Sequence, residues 1–244
     1  GDFAYFRREQ GENHVLLTDL ASGARCKTRS LISKFGFEPG FKVAATYTTD
    51  HSVWDLSYLW IDTWKSKCPR SNPAMIFLFH GNAELLDGAD KGVAKYSSSF
   101  HNCELNYYRY VSPRHGDYFS AAYLLGLRYM TLRESLDISL TFPTDKTSYK
   151  VHTSNRIPAA QVGGLIAWNP TPRLTWDLIG MVGMGFDWGD QKTRFGNVSD
   201  YKKTGFSTPL VVEGVIRLGY QPASFINLHI AYQFIYLNGV ILAP

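Results

Sequence analysis

No stretch of this sequence approaches the ~18 consecutive apolar residues that a membrane-spanning helix requires. The most apolar short run, Met75 to Phe79, ends after five residues, and a helical membrane protein is excluded. Charge is sparse: 19% of residues are charged, against about 25% in an average soluble domain. The net charge of +4 is too small to argue for nucleic acid, and the basic residues are scattered along the chain with no dense patch. Cysteine is scarce. Cys26, Cys68 and Cys103 form no CxxC and no metal-ligand spacing. No GxSxG elbow, HExxH helix or phosphate-binding glycine loop occurs, and the seven histidines are dispersed. Neither an enzyme nor a cofactor is expected. The polar opening at Gly1 carries no secretory leader and reads as a mature, processed product.

What the chain has in excess is aromatic residues, 15% of the total, mostly Tyr and Phe with six Trp. Such rings suit the boundary between lipid and water. They sit in segments that alternate with a period of two, the mark of a β-strand. In 225–237, Ile226, Leu228, Ile230, Tyr232, Phe234 and Tyr236 share one face, while Asn227, His229, Ala231 and Gln233 share the other. In 174–188 the apolar face runs from Leu174 and Trp176 to Phe186 and Trp188, against Thr175, Asp177 and Asp187. Trp54, Leu56, Tyr58 and Trp60 alternate with Asp55 and Ser57, and Leu125, Leu127 and Tyr129 with Gly126 and Arg128. A soluble β-sandwich alternates too. Two features favour membrane strands: apolar faces too long for an average strand of ~5–6 residues, and aromatics at the ends of those faces, as interface girdles require.

The connections fall into two classes. Short, turn-forming ones lie at 49–52, 113–116, 169–173 and 221–224. Long ones lie at 10–36, 65–96, 134–150 and 189–206. Their alternation matches short periplasmic turns and long extracellular loops. Nine strands are predicted, at 2–9, 37–48, 53–64, 98–112, 117–133, 151–168, 173–188, 207–220 and 223–238, in one domain spanning 1–244. First and ninth would run in the same direction, whereas bacterial single-chain barrels have even counts. A tenth strand is therefore expected in the complete barrel, with Asn238 to Pro244 leading into another extracellular loop. Cys26 and Cys68 fall in predicted loops, where one disulfide between them and three free thiols are both open readings.

Several segments resemble the β-barrel porin family of planctomycete-like bacteria. Glu104-Leu105-Asn106 is similar to that family's E-L-N strand, and Leu124 to Leu136 to its L-x-G-x-R-Y-x-x-L-x-E-x-L strand. Thr153 to Gly163 is similar to its T-x-N-x-x-x-x-Q-x-G segment, and the ending Tyr236 to Pro244 to its near-terminal G-V-x-L-A-P stretch. The layout of 36–64 also resembles Legionella-type major outer-membrane proteins. The resemblance implies an all-β, antiparallel transmembrane β-barrel in a bacterial outer membrane, with one more strand after the Leu-Ala-Pro segment.

On this reading Trp54, Trp60, Tyr129, Trp176, Trp188, Tyr220, Tyr232 and Tyr236 mark the lipid interface. Lys42, Asp55, Glu104, Asn106, Arg128, Gln161, Asp177, Glu213, Arg217, Asn227 and His229 face the lumen. Arg128 and Glu134 share a parity, and Arg217, Asn227 and His229 form a second inward group. These residues would either line a water-filled path and tune ion selectivity or pair with one another and fill the interior. A barrel of about ten strands lies nearer the filled end of the known range. The expected function is a porin-like passive channel for ions or small solutes. The alternative is a structural or surface-contact envelope protein with a filled lumen. Membrane lipid, and neighbouring envelope proteins or further copies of the chain, are the expected partners.

Overall fold

The computed structural model describes all residues except 1, 9–14, 80–81, 87, 112–117, 197–199, 224–225 and 243–244, and the side chains of 2–5, 76–79, 82–86 and 227 also lie outside the description. The predicted turn at 113–116 therefore lies outside the described residues. The chain is all-β with one short helix. In order, the elements are β1 (Asp2–Phe6), β2 (Val15–Asp19), β3 (Arg25–Lys27), α1 (Thr28–Ile32), β4 (Glu38–Thr48), β5 (Ser52–Ser71), β6 (Pro73–Phe79), β7 (Asn82–Leu86), β8 (Lys91–Tyr110), β9 (Phe119–Thr141), β10 (Lys146–Thr171), β11 (Leu174–Gly185), β12 (Asp187–Phe195), β13 (Tyr201–Ser207), β14 (Leu210–Ala223) and β15 (Ile226–Asn238).

The main sheet follows β1-β4-β5-β8-β9-β10-β11-β14-β15, and every ladder in it is antiparallel. β12 pairs with β10 and β13, and so prolongs the line of β11 as β13 prolongs that of β14. Each of the nine predicted segments supplies one position along this path. No ladder joins β1 to β15 among the described residues. The two edges run in the same direction, because eight antiparallel steps separate them.

Most strands run well past their predicted ends. The stretches 134–150 and 189–206 are not long loops. β9 and β10 continue to a tight turn, closed where Phe142 N–H donates to the Asp145 carbonyl at 2.8 Å, and the second stretch is filled by β12 and β13. The cause lies in the outer face. On β9 it reads Phe119, Tyr123, Leu125, Leu127 and Tyr129, then Thr131, Arg133, Ser135, Asp137 and Ser139, while the inner face turns apolar with Leu132, Leu136, Ile138 and Leu140. Alternation persists but its polarity inverts at Thr131. The same switch occurs past Trp60 on β5, past Cys103 on β8, at Arg156 on β10 and past Trp188 on β12. In register it forms one level: Trp60 opposite His101, His101 opposite Thr131, Thr131 opposite Arg156, and Arg156 opposite Trp188.

Beyond that level the inner face holds a hydrophobic core. A second, four-stranded sheet, ordered β3-β2-β6-β7, supplies part of it. Leu16, Leu17, Cys26, Leu31, Ile32, Phe35 and Met75 pack with Leu59, Trp64, Tyr96, Leu136 and Ile138 of the wall strands. The apolar run from Met75 pairs as a β6–β7 hairpin. A smaller apolar cluster of Ala122, Leu124, Leu165, Ala167, Ile179 and Met181 closes the short-turn end.

Cys26 and Cys68 are on strands β3 and β5, not in loops, and both are buried as free thiols in this core. Burial, aided by the neighbouring Cys68, pushes the Cys26 thiol up to about 12, so it stays protonated and unreactive at neutral pH. A thiol reagent applied to the folded protein at neutral pH should leave Cys26 and Cys68 unlabelled until denaturant is added. Labelling of both in the native state, read by peptide mass, would contradict the packed core.

Candidate functional site

The concave face carries its charge in the middle, between the two apolar clusters. Glu104 on β8, Arg128 on β9 and Glu213 on β14 are each 3% exposed. Glu104 and Arg128 are direct cross-strand partners, so the ladder alone places them together. Glu213 is not a neighbour in the sheet: β10 and β11 lie between β9 and β14. Arg128 Nη2 nevertheless pairs with Glu213 Oε2 as well as with Glu104 Oε1 at 3.1 Å. The sheet therefore curls until its inner face meets itself.

Amides complete the cluster. Asn102 Nδ2 donates to Glu104 Oε1 at 2.5 Å, and Asn106 Nδ2 to Glu104 Oε2 at 3.0 Å. Gln161 Nε2 donates to Asn106 Oδ1 at 2.6 Å. From β15, Gln233 Nε2 donates to Glu213 Oε1 at 2.8 Å. Half-buried Lys42 on β4 lies close enough to act electrostatically on both carboxylates. Two cations and two anions thus offset one another, as burial in a medium of low polarity requires. Small inner residues make the room. A Cβ added to Gly126 would lie 2.1 Å from Asn106 Oδ1, so only glycine fits beneath the Asn106–Gln161 bond.

Of the predicted inner residues, Glu104, Asn106, Arg128, Gln161 and Glu213 come together here, with Lys42 at their side. Others stand apart. Asp55 accepts from Thr46 Oγ1 at 3.0 Å near the sheet's β4 side. Asp177 pairs with Arg217 at 2.6 Å nearer the short-turn end, which gives Arg217 an acidic partner on β11. His229 is exposed on edge strand β15, and the Asn227 side chain lies outside the description. Glu134 points inward, as its parity with Arg128 predicts, but six residues further along β9. It pairs with Arg8, whose Nη1 also donates to Ser98 Oγ at 2.5 Å.

Asn102 was not predicted, although its parity with Glu104 and Asn106 marks it. A second unpredicted feature is the segment after β15, which folds inward rather than entering an outer loop. Asn155 Nδ2 donates to the Ile241 carbonyl at 2.7 Å, Ser207 Oγ to that of Gly239 at 2.5 Å, and Val240 and Leu242 pack against the core. Among the described residues no three His, Cys, Asp or Glu side chains are arranged to hold a metal ion.

Removing one member of a buried charge group leaves the others unpaired, at a cost of about 3–5 kcal/mol. Arg128→Met should lower unfolding stability by about that amount, read from the urea midpoint of the refolded protein, and Gly126→Val should be comparably damaging. An Arg128→Met midpoint equal to wild type would disprove the pairing. Comparison with protein-family models, with curated proteins and with solved structures finds no match to this chain, so the reading of the site rests on its own geometry.

Proposed function

We propose that the curled sheet is the wall of a transmembrane β-barrel in a bacterial outer membrane, and that its interior is filled, making the protein a structural or surface-contact component of the envelope and not an open diffusion pore. One observation carries this reading: the sheet is apolar outward and charged inward over a single continuous band. On β9 that band runs from Phe119 to Tyr129, about 33 Å of strand at ~3.3 Å per residue, or about 25 Å upright at a tilt of ~40°. This is the height of a barrel's lipid-facing belt. Trp54, Trp60, Tyr129, Trp176, Trp188, Tyr220, Tyr232 and Tyr236 are all exposed on it. Trp60 and Trp188 stand at its upper level, and Trp176, Trp168 and Phe119 near the lower. Apolar surface of this extent on a soluble protein would drive aggregation.

The filled interior is supported by the cluster's own pairing. Every charge in it has an opposite charge within reach, and apolar clusters lie on both sides along the axis. A solute path would need those ions to be hydrated and apart. One strand antiparallel to both β1 and β15 would close the wall at ten, a size whose interior side chains can fill. Membrane lipid is then the partner of the outer band, and neighbouring envelope proteins or further copies meet the strand extensions.

The experiment is conductance in planar bilayers with protein shown to be folded and inserted. The expected result is silence in wild type. Stable voltage-dependent steps whose ion selectivity changes on Arg128→Gln would reverse the conclusion and establish a porin-like channel.

A further inference from the structure

The outer wall above the aromatic level gathers an unequal share of the chain's charge. Antiparallel register lines up Lys65, Ser97, Ser135, His152, Lys192 and Lys202 in one outward rung. The rung beyond it reads Lys67, Lys95, Asp137, Lys150 and Arg194, and the rung below carries Arg133 and Asp190, joined through Ser154. Eight Lys and Arg side chains thus meet three carboxylates, Asp137 and Asp190 in these rungs and Asp200 beside Lys192 and Arg194, whereas the whole chain has 25 basic against 21 acidic residues.

Like charges even stand directly opposite, Lys192 against Lys202 and Lys67 against Lys95, an arrangement that destabilises a sheet. Lys192 has Asp200 at 2.5 Å and Lys202 has Asp190 at 3.7 Å. Lys65, Lys67, Lys95 and Arg133 make no ion pair among the described residues. Arg133, His152, Lys192 and Lys202 line an open groove of about 570 Å³ together with the hydroxyls of Ser99, Ser135 and Ser154 and the carboxylates of Asp190, already beside Lys202, and Glu134, already bound to Arg8. Cations and hydroxyl donors around one concavity are the chemistry that holds a phosphate group.

Its height fits a lipid. Measured from the level of Thr131 and Trp188, Arg133 lies two residues up and Lys192 four, about 7 Å and about 13 Å along the strand, or about 5 Å and about 10 Å upright at a tilt of ~40°. The headgroup region itself rises about 5–7 Å above the hydrocarbon edge, and Lys and Arg side chains can reach down into it while their stems lie along the wall.

We propose that this groove binds the phosphate of a lipid headgroup in the leaflet on the side of the strand extensions. The inference rests on the transmembrane reading above. To test it, the full chain is refolded into phosphatidylcholine vesicles holding a minor share of phosphatidic acid, extracted with its retained lipid, and weighed by native mass spectrometry. Wild type should retain phosphatidic acid in preference to phosphatidylcholine. The variant Arg133→Gln/Lys192→Gln/Lys202→Gln should lose that preference by on the order of a hundredfold, about fivefold per cation removed. Lys192→Arg/Lys202→Arg should keep it, as should Lys91→Gln/Lys146→Gln at the strand tips. Equal retention of both lipids by inserted wild type, or an unchanged preference in the inserted triple variant, overturns the headgroup site and leaves the transmembrane reading standing. Failure of wild type to insert into any vesicle overturns that reading itself, and the site with it.

Discussion

A guanidinium held between two carboxylates sets how the main sheet is shaped. The bond from Arg128 to Glu104 follows from register, since the two strands are neighbours. The bond from Arg128 to Glu213 does not, because two strands lie between. A flat sheet of this width would keep the Arg128–Glu104 pair but separate Glu213 from Arg128, and a carboxylate buried without its cation costs several kcal/mol. Curling removes that cost and brings Gln233 and Lys42 to the same place. The curl in turn makes one face concave and the other convex. Inner and outer side chains are distinguished by that curvature.

Along each strand the two faces exchange roles once. Below the level of Trp60, Thr131 and Trp188, side chains that look outward are apolar and those that look inward include the charges. Above it the outward ones are polar and the inward ones form a hydrophobic core with β2, β3, β6 and α1. Between β8, β9 and β10 the ladders run through the exchange unbroken, whereas on β5 a register shift between Ile61 and Trp64 falls at it. The folded chain therefore has two kinds of interior in series, one held by paired charge and one by apolar burial. Each is stabilised by its own surroundings, the second by the ordinary hydrophobic effect in water.

Where alternation was apolar outward, the sequence was legible. The central parts of all nine wall positions, the exposed aromatics and the inward parity of Glu104, Asn106, Arg128, Gln161 and Glu213 could be read from period-two spacing, because register carries parity from strand to strand. Strand ends could not be read this way. From Arg133 to Ser139 the outward residues are polar, and a segment rich in charge and hydroxyls looks like a loop when only apolar-outward alternation is sought. Contacts across the concavity were equally hidden: nothing in spacing says that Arg128 reaches Glu213 or that Arg8 reaches Glu134. The basic residues looked scattered for a related reason. Lys65, His152, Lys192 and Lys202 are far apart in sequence, and only the pairing of five ladders sets them in one row.

The direction of the two edge strands has a consequence for how copies of this chain meet. β1 and β15 point the same way, so all copies that share one orientation present edges of a single sense. Edge-to-edge joining among them would require parallel ladders, and every ladder among the described residues is antiparallel. A strand antiparallel to both edges would therefore continue the pattern of the rest of the sheet at either one, while a copy standing alongside in the same orientation would have to pair in parallel, the slightly less stable arrangement per residue.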